Sequence, residues 1–193
     1  MPRRKEFDRE EVLLKAMSVF QDKGYEATSM QDLVDHMGIN RFSLYETFGS
    51  KHELFLEALQ AYHDTVAIPF FNRLRDSKGG LPVVESVLLD LVSRVKSGRS
   101  YNGCLLCNTI AELGAKQDKR MTAVLERYLE MVESNFHVAL ERAKERGDIP
   151  GTVDARQHAK VLVGYSTGLL SLAKVLSEKE LRKSVKATVA AIG

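Results

Sequence analysis

Residues 28–55 run Thr28-Ser29-Met30-Gln31-Asp32-Leu33-Val34-Asp35-His36-Met37-Gly38-Ile39-Asn40-Arg41-Phe42-Ser43-Leu44-Tyr45-Glu46-Thr47-Phe48-Gly49-Ser50-Lys51-His52-Glu53-Leu54-Phe55. Gly38 and Gly49 divide this run into pieces of helical length. Met30, Leu33, Val34 and Met37 recur at helical spacing, with Thr28 and Ser29 as candidate N-caps and Gly38 as the stop. Arg41 to about Phe48 forms a second short helix, with Leu44 and Phe48 on its inner side and Gly49 closing it. Ser50, followed by Glu53, opens a longer helix whose apolar stripe is Leu54, Phe55, Ala58, Leu59, Tyr62 and Val66. Two short helices joined around Gly38 predict a helix-turn-helix, the second helix protruding. A DNA major groove about 12 Å wide admits one such helix.

Outward from this segment the pattern stays helical. Arg3, Arg4 and Lys5 form a short basic arm. Asp8, three residues before Glu11, starts a helix through Val12, Ala16, Val19 and Phe20 that stops near Gly24. Pro69 is expected to kink or end the helix that begins at Ser50. Ser77-Lys78-Gly79-Gly80 reads as a loop. Helical patterns then cover about 82–96, 103–115, 118–147, 154–176 and 178–192, with a break at 147–151. No period-two strand and no repeat is evident, so the expected architecture is all-α with about nine helices. A DNA-binding unit over 1–53 would precede a helical unit over 54–193.

Composition narrows the function classes. The 193 residues are 44% hydrophobic and 28% charged, as in an ordinary globular protein. No apolar run approaches the roughly 20 residues of a membrane span. The start, Met1-Pro2-Arg3-Arg4-Lys5-Glu6, is charged rather than signal-like, and the two cysteines are too few for a disulfide framework. A cytoplasmic location with no membrane partner is therefore expected. The net charge is only +2, and residues 1–51 hold eight Lys/Arg against nine Asp/Glu. Any case for DNA rests on where the charges sit.

The ordered run Thr28…Asp32-Leu33-Val34…Gly38-Ile39, then Ser43-Leu44-Tyr45…Phe48…Ser50-Lys51…Leu54, resembles the signature of the tetracycline-repressor (TetR-type) family, with the match spanning roughly residues 8–60. Asn102-Gly103-Cys104-Leu105-Leu106, followed by Glu112, resembles a pattern recurrent in one branch of that family. The resemblance implies a homodimeric transcriptional regulator, most often a repressor. It would bind palindromic operator DNA and be released by a small-molecule effector, with no cofactor, metal or catalytic residue.

Residue chemistry assigns roles within the segment. Arg41, Phe42, Ser43 and Thr47 fall on the outward face of the second helix. Arg41 suits a two-pronged contact to guanine, and Phe42 or the Thr47 methyl suits a thymine methyl. By resemblance, Tyr45 and Lys51 contact phosphates; Lys51 also sits at a helix N-terminus, which attracts anions. Thr28 would cap its helix and meet a phosphate, while Arg3, Arg4 and Lys5 would follow the backbone or enter the minor groove. Taken singly, Tyr45 equally suits packing and Lys51 a solvated charge. Phe42 could instead pack inward, and Glu46 is unusual on a phosphate-facing surface.

The C-terminal helices should house an effector pocket and, by resemblance, the dimer interface. Candidate pocket or sensing residues are Tyr62, Phe70, Tyr101, Cys104, Cys107, Asn108, Glu112, Tyr128 and Tyr165, with Phe71 and His137 also plausible. The broad apolar faces of the last two helices offer Leu162, Leu169, Leu172, Leu176, Leu181, Val185 and Val189 as interface residues; packing within one subunit is the alternative. Cys104 and Cys107 share one helical face. They suit buried hydrophobes, or a sensor in which Cys104, at a helix start, reacts with an electrophile or oxidant. Zinc spacing and a thioredoxin-like context are both lacking.

Two rival classes remain. An enzyme would show a nucleophile elbow, a phosphate loop or an H-E-x-x-H motif, and the sequence carries none. Glu112 and His137 are the one conceivable acid–base pair. A protein-binding helical adaptor would have no use for a basic arm and an outward Arg41/Ser43/Thr47 face beside Lys51.

Overall fold

In a computed structural model, residues 7–76, 78–96, 103–113 and 118–193 are described. Ten α-helical segments occur among them: α1 (Arg9–Lys23), α2 (Met30–Met37), α3 (Arg41–Phe48), α4 (Lys51–Tyr62), α5 (Ile68–Asp76), α6 (Leu81–Lys96), α7 (Leu105–Leu113), α8 (Lys119–Glu145), α9 (Ala155–Leu172) and α10 (Glu178–Ala190). A π-helical turn, His63–Ala67, joins α4 to α5, so the ten segments make nine rods. There is no strand among the described residues.

Local chemistry sets the ends of the first helices. The Asp8 carboxylate accepts from the Glu10 and Glu11 amides at 2.8 and 3.4 Å, satisfying donors that a helix start leaves free. Ser29 caps α2 in a reciprocal box with Asp32, and Gly38 ends it in the left-handed conformation at φ 71°. Asn40 caps α3 by accepting from the Ser43 amide. Ser50 caps α4 through the Glu53 amide, but the Glu53 carboxylate turns away to Arg120 instead of completing a box.

The first three helices close over Phe20, Leu33, Met37, Leu44 and Phe48, with Phe55 of α4 sealing the base, all buried. Phe20 meets Phe55 edge-on at 4.9 Å between ring centroids, an arrangement favoured by the ring quadrupoles. The longest helix, α8, packs against α5 and α9, and α6 packs against α10. Phe136, Leu140, Leu88, Leu162 and Leu181 are buried here, in a core continuous with that of the head.

Pro69 does not break the helix. It lacks the N–H that would bond the Thr65 carbonyl, and its ring crowds that turn. The chain responds by widening one turn: the Ile68 amide bonds to the His63 carbonyl, a π-type connection. The rod then continues to Asp76.

Two clusters bolt the start of α4 to the start of α8. Arg120 grips Glu53 with two hydrogen bonds, at 3.0 and 2.5 Å. His52 Nε2 lies 2.5 Å from Asp118, the N-cap of α8. Arg127 donates to Gln60 two turns further along. The charged pairs are largely exposed, so they fix orientation more than they add stability.

Candidate nucleic-acid interface

The inner side of α3 is consumed by Leu44 and Phe48, which are buried in the three-helix core. Its opposite side faces solvent. Phe42 is 76% exposed and Tyr45 42% exposed, and Arg41 is exposed beside them. The Arg41 guanidinium lies 6.0 Å from the Tyr45 ring centroid. Phe42, exposed as it is, therefore does not pack into the core of the head. Ser43 is half-buried. Glu46 is exposed on the same helix and lends the surface a negative charge.

Lys51 begins α4, with its ammonium 4.4 Å from the centre of the Tyr25 ring. That contact holds a flexible cation near the mouth of a helix N-terminus, where backbone donors already favour an anion. Tyr25 itself packs on Phe55 at 4.7 Å, so the support under Lys51 is rigid.

One expectation needs correction. Thr28 is 1% exposed and its hydroxyl donates to the Gly24 carbonyl at 2.5 Å. The cap of α2 is Ser29, and Thr28 fastens the α1–α2 loop instead of presenting a hydroxyl to phosphate. Thr47 is half-buried, with Oγ1 shut away from solvent and without a hydrogen-bond partner among the described residues. Arg3, Arg4 and Lys5 lie outside the described residues.

The sensing candidates divide into three groups. Tyr62, Phe70, Cys104 and Tyr128 line one narrow cavity of about 20 Å³, roomy enough for a water molecule. Cys107 adjoins them, its sulfur 3.5 Å from the Tyr128 hydroxyl, while Cys104 lies 3.9 Å from the same oxygen. Both thiols are buried and unpaired by disulfide. Cys104 stands immediately before α7, and the Asn108 amide bonds its carbonyl. Hydrogen bonds from the Cys107 side chain and backbone, and from Tyr62 and Tyr128, lower the Cys104 thiol below its ordinary pKa against the opposing effect of burial. The Cys107 thiol, donor in that pair and itself buried, is pushed up. Tyr128 is also raised, chiefly by burial. The hydrogen bonds within the pair thus favour the thiolate on Cys104 over that on Cys107.

Asn108 and Glu112 lie elsewhere, in a cleft between α1 and α7. The Glu112 carboxylate accepts from the Tyr25 and Glu26 amides at 3.0 and 2.7 Å, and Asn108 accepts from Lys174. Tyr165 donates to Ser184, tying α9 to α10. Asn108 and Glu112 thus line this cleft and not the cavity beside Cys104, and Tyr165 links two helices. His137 faces Glu141 on its own helix at 3.5 Å, so it forms no acid–base pair with Glu112. Tyr101 lies outside the described residues. Sequence reasoning missed Asn40, Tyr25 and the Arg120–Glu53 clasp. Of these only Asn40 carried a signal, as a good N-cap directly before Arg41.

The expected interface residues are corrected as well. Leu162, Leu169, Leu181, Val185 and Val189 are buried within this chain, and Leu176 is half-buried against its core. On the outer side of α9 the exposed apolar residues are Val161, Leu172 and Val175. Gly164 and Gly168 lie along that helix with open space where a side chain would stand.

A solvent-facing α3 carried on a three-helix head, with a helical bundle following it in the chain, is the build of a helix-turn-helix regulator. A family model for bacterial regulatory proteins, tetR family, matches residues 12–58, and one for the tetracyclin repressor-like C-terminal domain matches residues 80–189. YezE of Bacillus subtilis (strain 168), an uncharacterized HTH-type transcriptional regulator, is 32% identical over 181 residues, covering 93% of this chain and 93% of its own. The HTH-type transcriptional repressor BdcR of Escherichia coli (strain K12) is 31% identical over 170 residues, 86% of this chain and 83% of its own. Among solved structures, a cysteine-substituted form of the TetR family transcriptional regulator CifR, complexed with operator DNA, superposes with a TM-score of 0.82 at 26% identity. That match covers 99% of this chain and 100% of the other. The chain belongs to the tetR family of bacterial regulatory proteins. It is a DNA-binding transcriptional regulator and not an enzyme. No helix among the described residues is long and apolar enough to cross a membrane.

Proposed function

We propose that this chain is a homodimeric repressor that reads a palindromic operator with α3 and lets go when its C-terminal domain is modified or occupied. The observation that carries the reading is the two-sidedness of α3, with Leu44 and Phe48 buried while Arg41, Phe42 and Tyr45 stand in solvent. Arg41 and Phe42 read bases, and Tyr45 and Lys51 hold phosphates on either side. The head is residues 1–53 and the switching domain 54–193, although α4 is shared mechanically by both. The protein acts in the cytoplasm, where its operator is.

The second copy docks on the outer face of α9. Val161, Leu172 and Val175 are exposed there without an apolar neighbour of their own chain to cover them. Glycine inside a helix costs about 0.5–1 kcal/mol relative to alanine. Gly164 and Gly168 have no crowding in the monomer that requires them, and a closely approaching partner helix does. A two-fold pair of heads about 34–36 Å apart spans one DNA turn.

The trigger is an electrophile or oxidant acting at Cys104, whose depressed pKa and position at the head of α7 make it the reactive thiol. The cavity beside it is large enough only for a water molecule, so a larger reagent enters when it opens. Coupling of about 1–3 kcal/mol between that site and the heads would weaken DNA binding about 5–150-fold. Selection of bound duplexes from a random pool tests the function directly. An enriched palindrome with half-sites one helical turn apart is expected, and a pool with no enrichment refutes the reading.

A further inference from the structure

Helix α7 touches the DNA-reading head at both of its ends. At its start, the Gln21 side-chain amide of α1 donates to the Gly103 carbonyl at 2.9 Å, one residue before Cys104. At its far end, the Glu112 carboxylate takes two successive backbone amides of the α1–α2 loop, Tyr25 and Glu26. Paired backbone amides around one carboxylate form an anion-binding nest. The loop is shaped for this guest: Gly24 has φ +80°, and a Cβ there would stand 2.6 Å from a Glu112 oxygen. Only glycine leaves the carboxylate room.

The loop residue held by Glu112 is the one that supports Lys51. The backbone of Tyr25 is fixed by the carboxylate, its ring packs on Phe55, and the Lys51 ammonium rests 4.4 Å from that ring's centre. The same loop is pinned by Thr28 to Gly24 and delivers the chain to Ser29, the cap of α2.

We propose that Glu112 is a positioning residue for DNA binding, acting through Tyr25 on the phosphate anchor Lys51, and that α7 thereby joins the Cys104 site to the reading head. The proposal rests on the operator-binding reading above. A reaction at Cys104 that shifts α7 draws on Glu112 and the Gly103 carbonyl together, and the Lys51 support moves with them.

The test uses the full chain and a duplex selected as above. Glu112→Ala is expected to weaken binding at least about 5-fold and to lower the salt dependence of binding. A structural role alone would not pair it with Lys51. The double variant Glu112→Ala/Lys51→Ala should therefore bind no more weakly than Lys51→Ala does. Glu112→Gln, which keeps one acceptor oxygen, should fall between wild type and Glu112→Ala, and serves if the alanine variant folds poorly. Wild-type affinity in Glu112→Ala, or strictly additive losses in the double variant, would overturn the proposal. Hydrogen exchange at the Tyr25 and Glu26 amides needs no DNA. Protection in wild type that is lost in Glu112→Ala supports the latch, and equal exchange in both overturns it. A wild-type protein that binds no duplex sinks the operator reading instead, and the exchange measurement still decides the latch.

Discussion

Replacing Lys51 by alanine removes one cation from the first turn of α4 and leaves the core of the head untouched, because its packing is confined to the Tyr25 ring at 4.4 Å. Each phosphate contact contributes a slope of about 0.9 to the decline of log affinity with log salt. A dimer loses two such contacts, so the slope should fall by about 1.8. Referred to 1 M salt, where counterion release contributes nothing, the loss at about 0.1 M salt is ten raised to the 1.8, or about 60-fold. The lost cation–π contact is worth about 0.5–1 kcal/mol of folding stability, a melting shift of about 1–4 °C. Fluorescence anisotropy with a labelled operator from about 50 to 300 mM salt resolves this change. Lys51→Arg keeps the charge and should keep the slope. An unchanged slope in Lys51→Ala, or equal losses in both variants, would refute the phosphate assignment.

Other outcomes follow from the same geometry. Arg41→Ala should cost about 1–3 kcal/mol at the base pair it reads and relax preference there alone; repeating duplex selection with the variant would reveal it as one degenerate position per half-site. Leu172→Glu places a charge on the outer face of α9 and is expected to give monomers in sedimentation, with operator affinity lost alongside; a variant that stays dimeric moves the interface elsewhere. Iodoacetamide, which reaches Cys104 when its cavity opens, should alkylate it well below the pH at which an ordinary thiol ionises, because the folded state lowers its pKa through Cys107. By the same linkage, the unfolded chain holds this proton to higher pH, so the thiolate's contribution to stability is present at high pH and fades as pH falls through the folded value. An alkylation profile with its midpoint near or above about 8.5 contradicts this.

Much of the head was legible from sequence because its determinants are local. Ser29 ahead of Met30, Ser50 three residues before Glu53, and Gly38 at the end of α2 are short-range arrangements that fix helix ends wherever they occur. The inward set Leu33, Met37, Leu44 and Phe48 follows from helical spacing alone. What escaped was non-local. Glu112 looks like any exposed helix carboxylate until a loop more than eighty residues earlier supplies its two amides. Thr28 and Ser29 are both good caps, and only burial of the first decides between them. For α9, spacing cannot say which side meets the rest of the chain, since Leu162 and Leu169 on one side are as apolar as Val161 and Leu172 on the other.

The widened turn at His63–Ala67 has a consequence for where aromatic rings point. In an unbroken α-helix, Tyr62 and Phe70 would stand about 80° apart around the axis, at about 100° per residue. One extra residue wound into the turn takes away about 100°, leaving the two within about 20° of one another. Both indeed line the crevice beside Cys104. Pro69 thus acts as a phase-setter: shortening this turn by one residue would swing Tyr62 and Phe70 apart again, by a rotation of about 100°, taking one ring out of the crevice beside the thiol as it swivels the rod that carries Lys51.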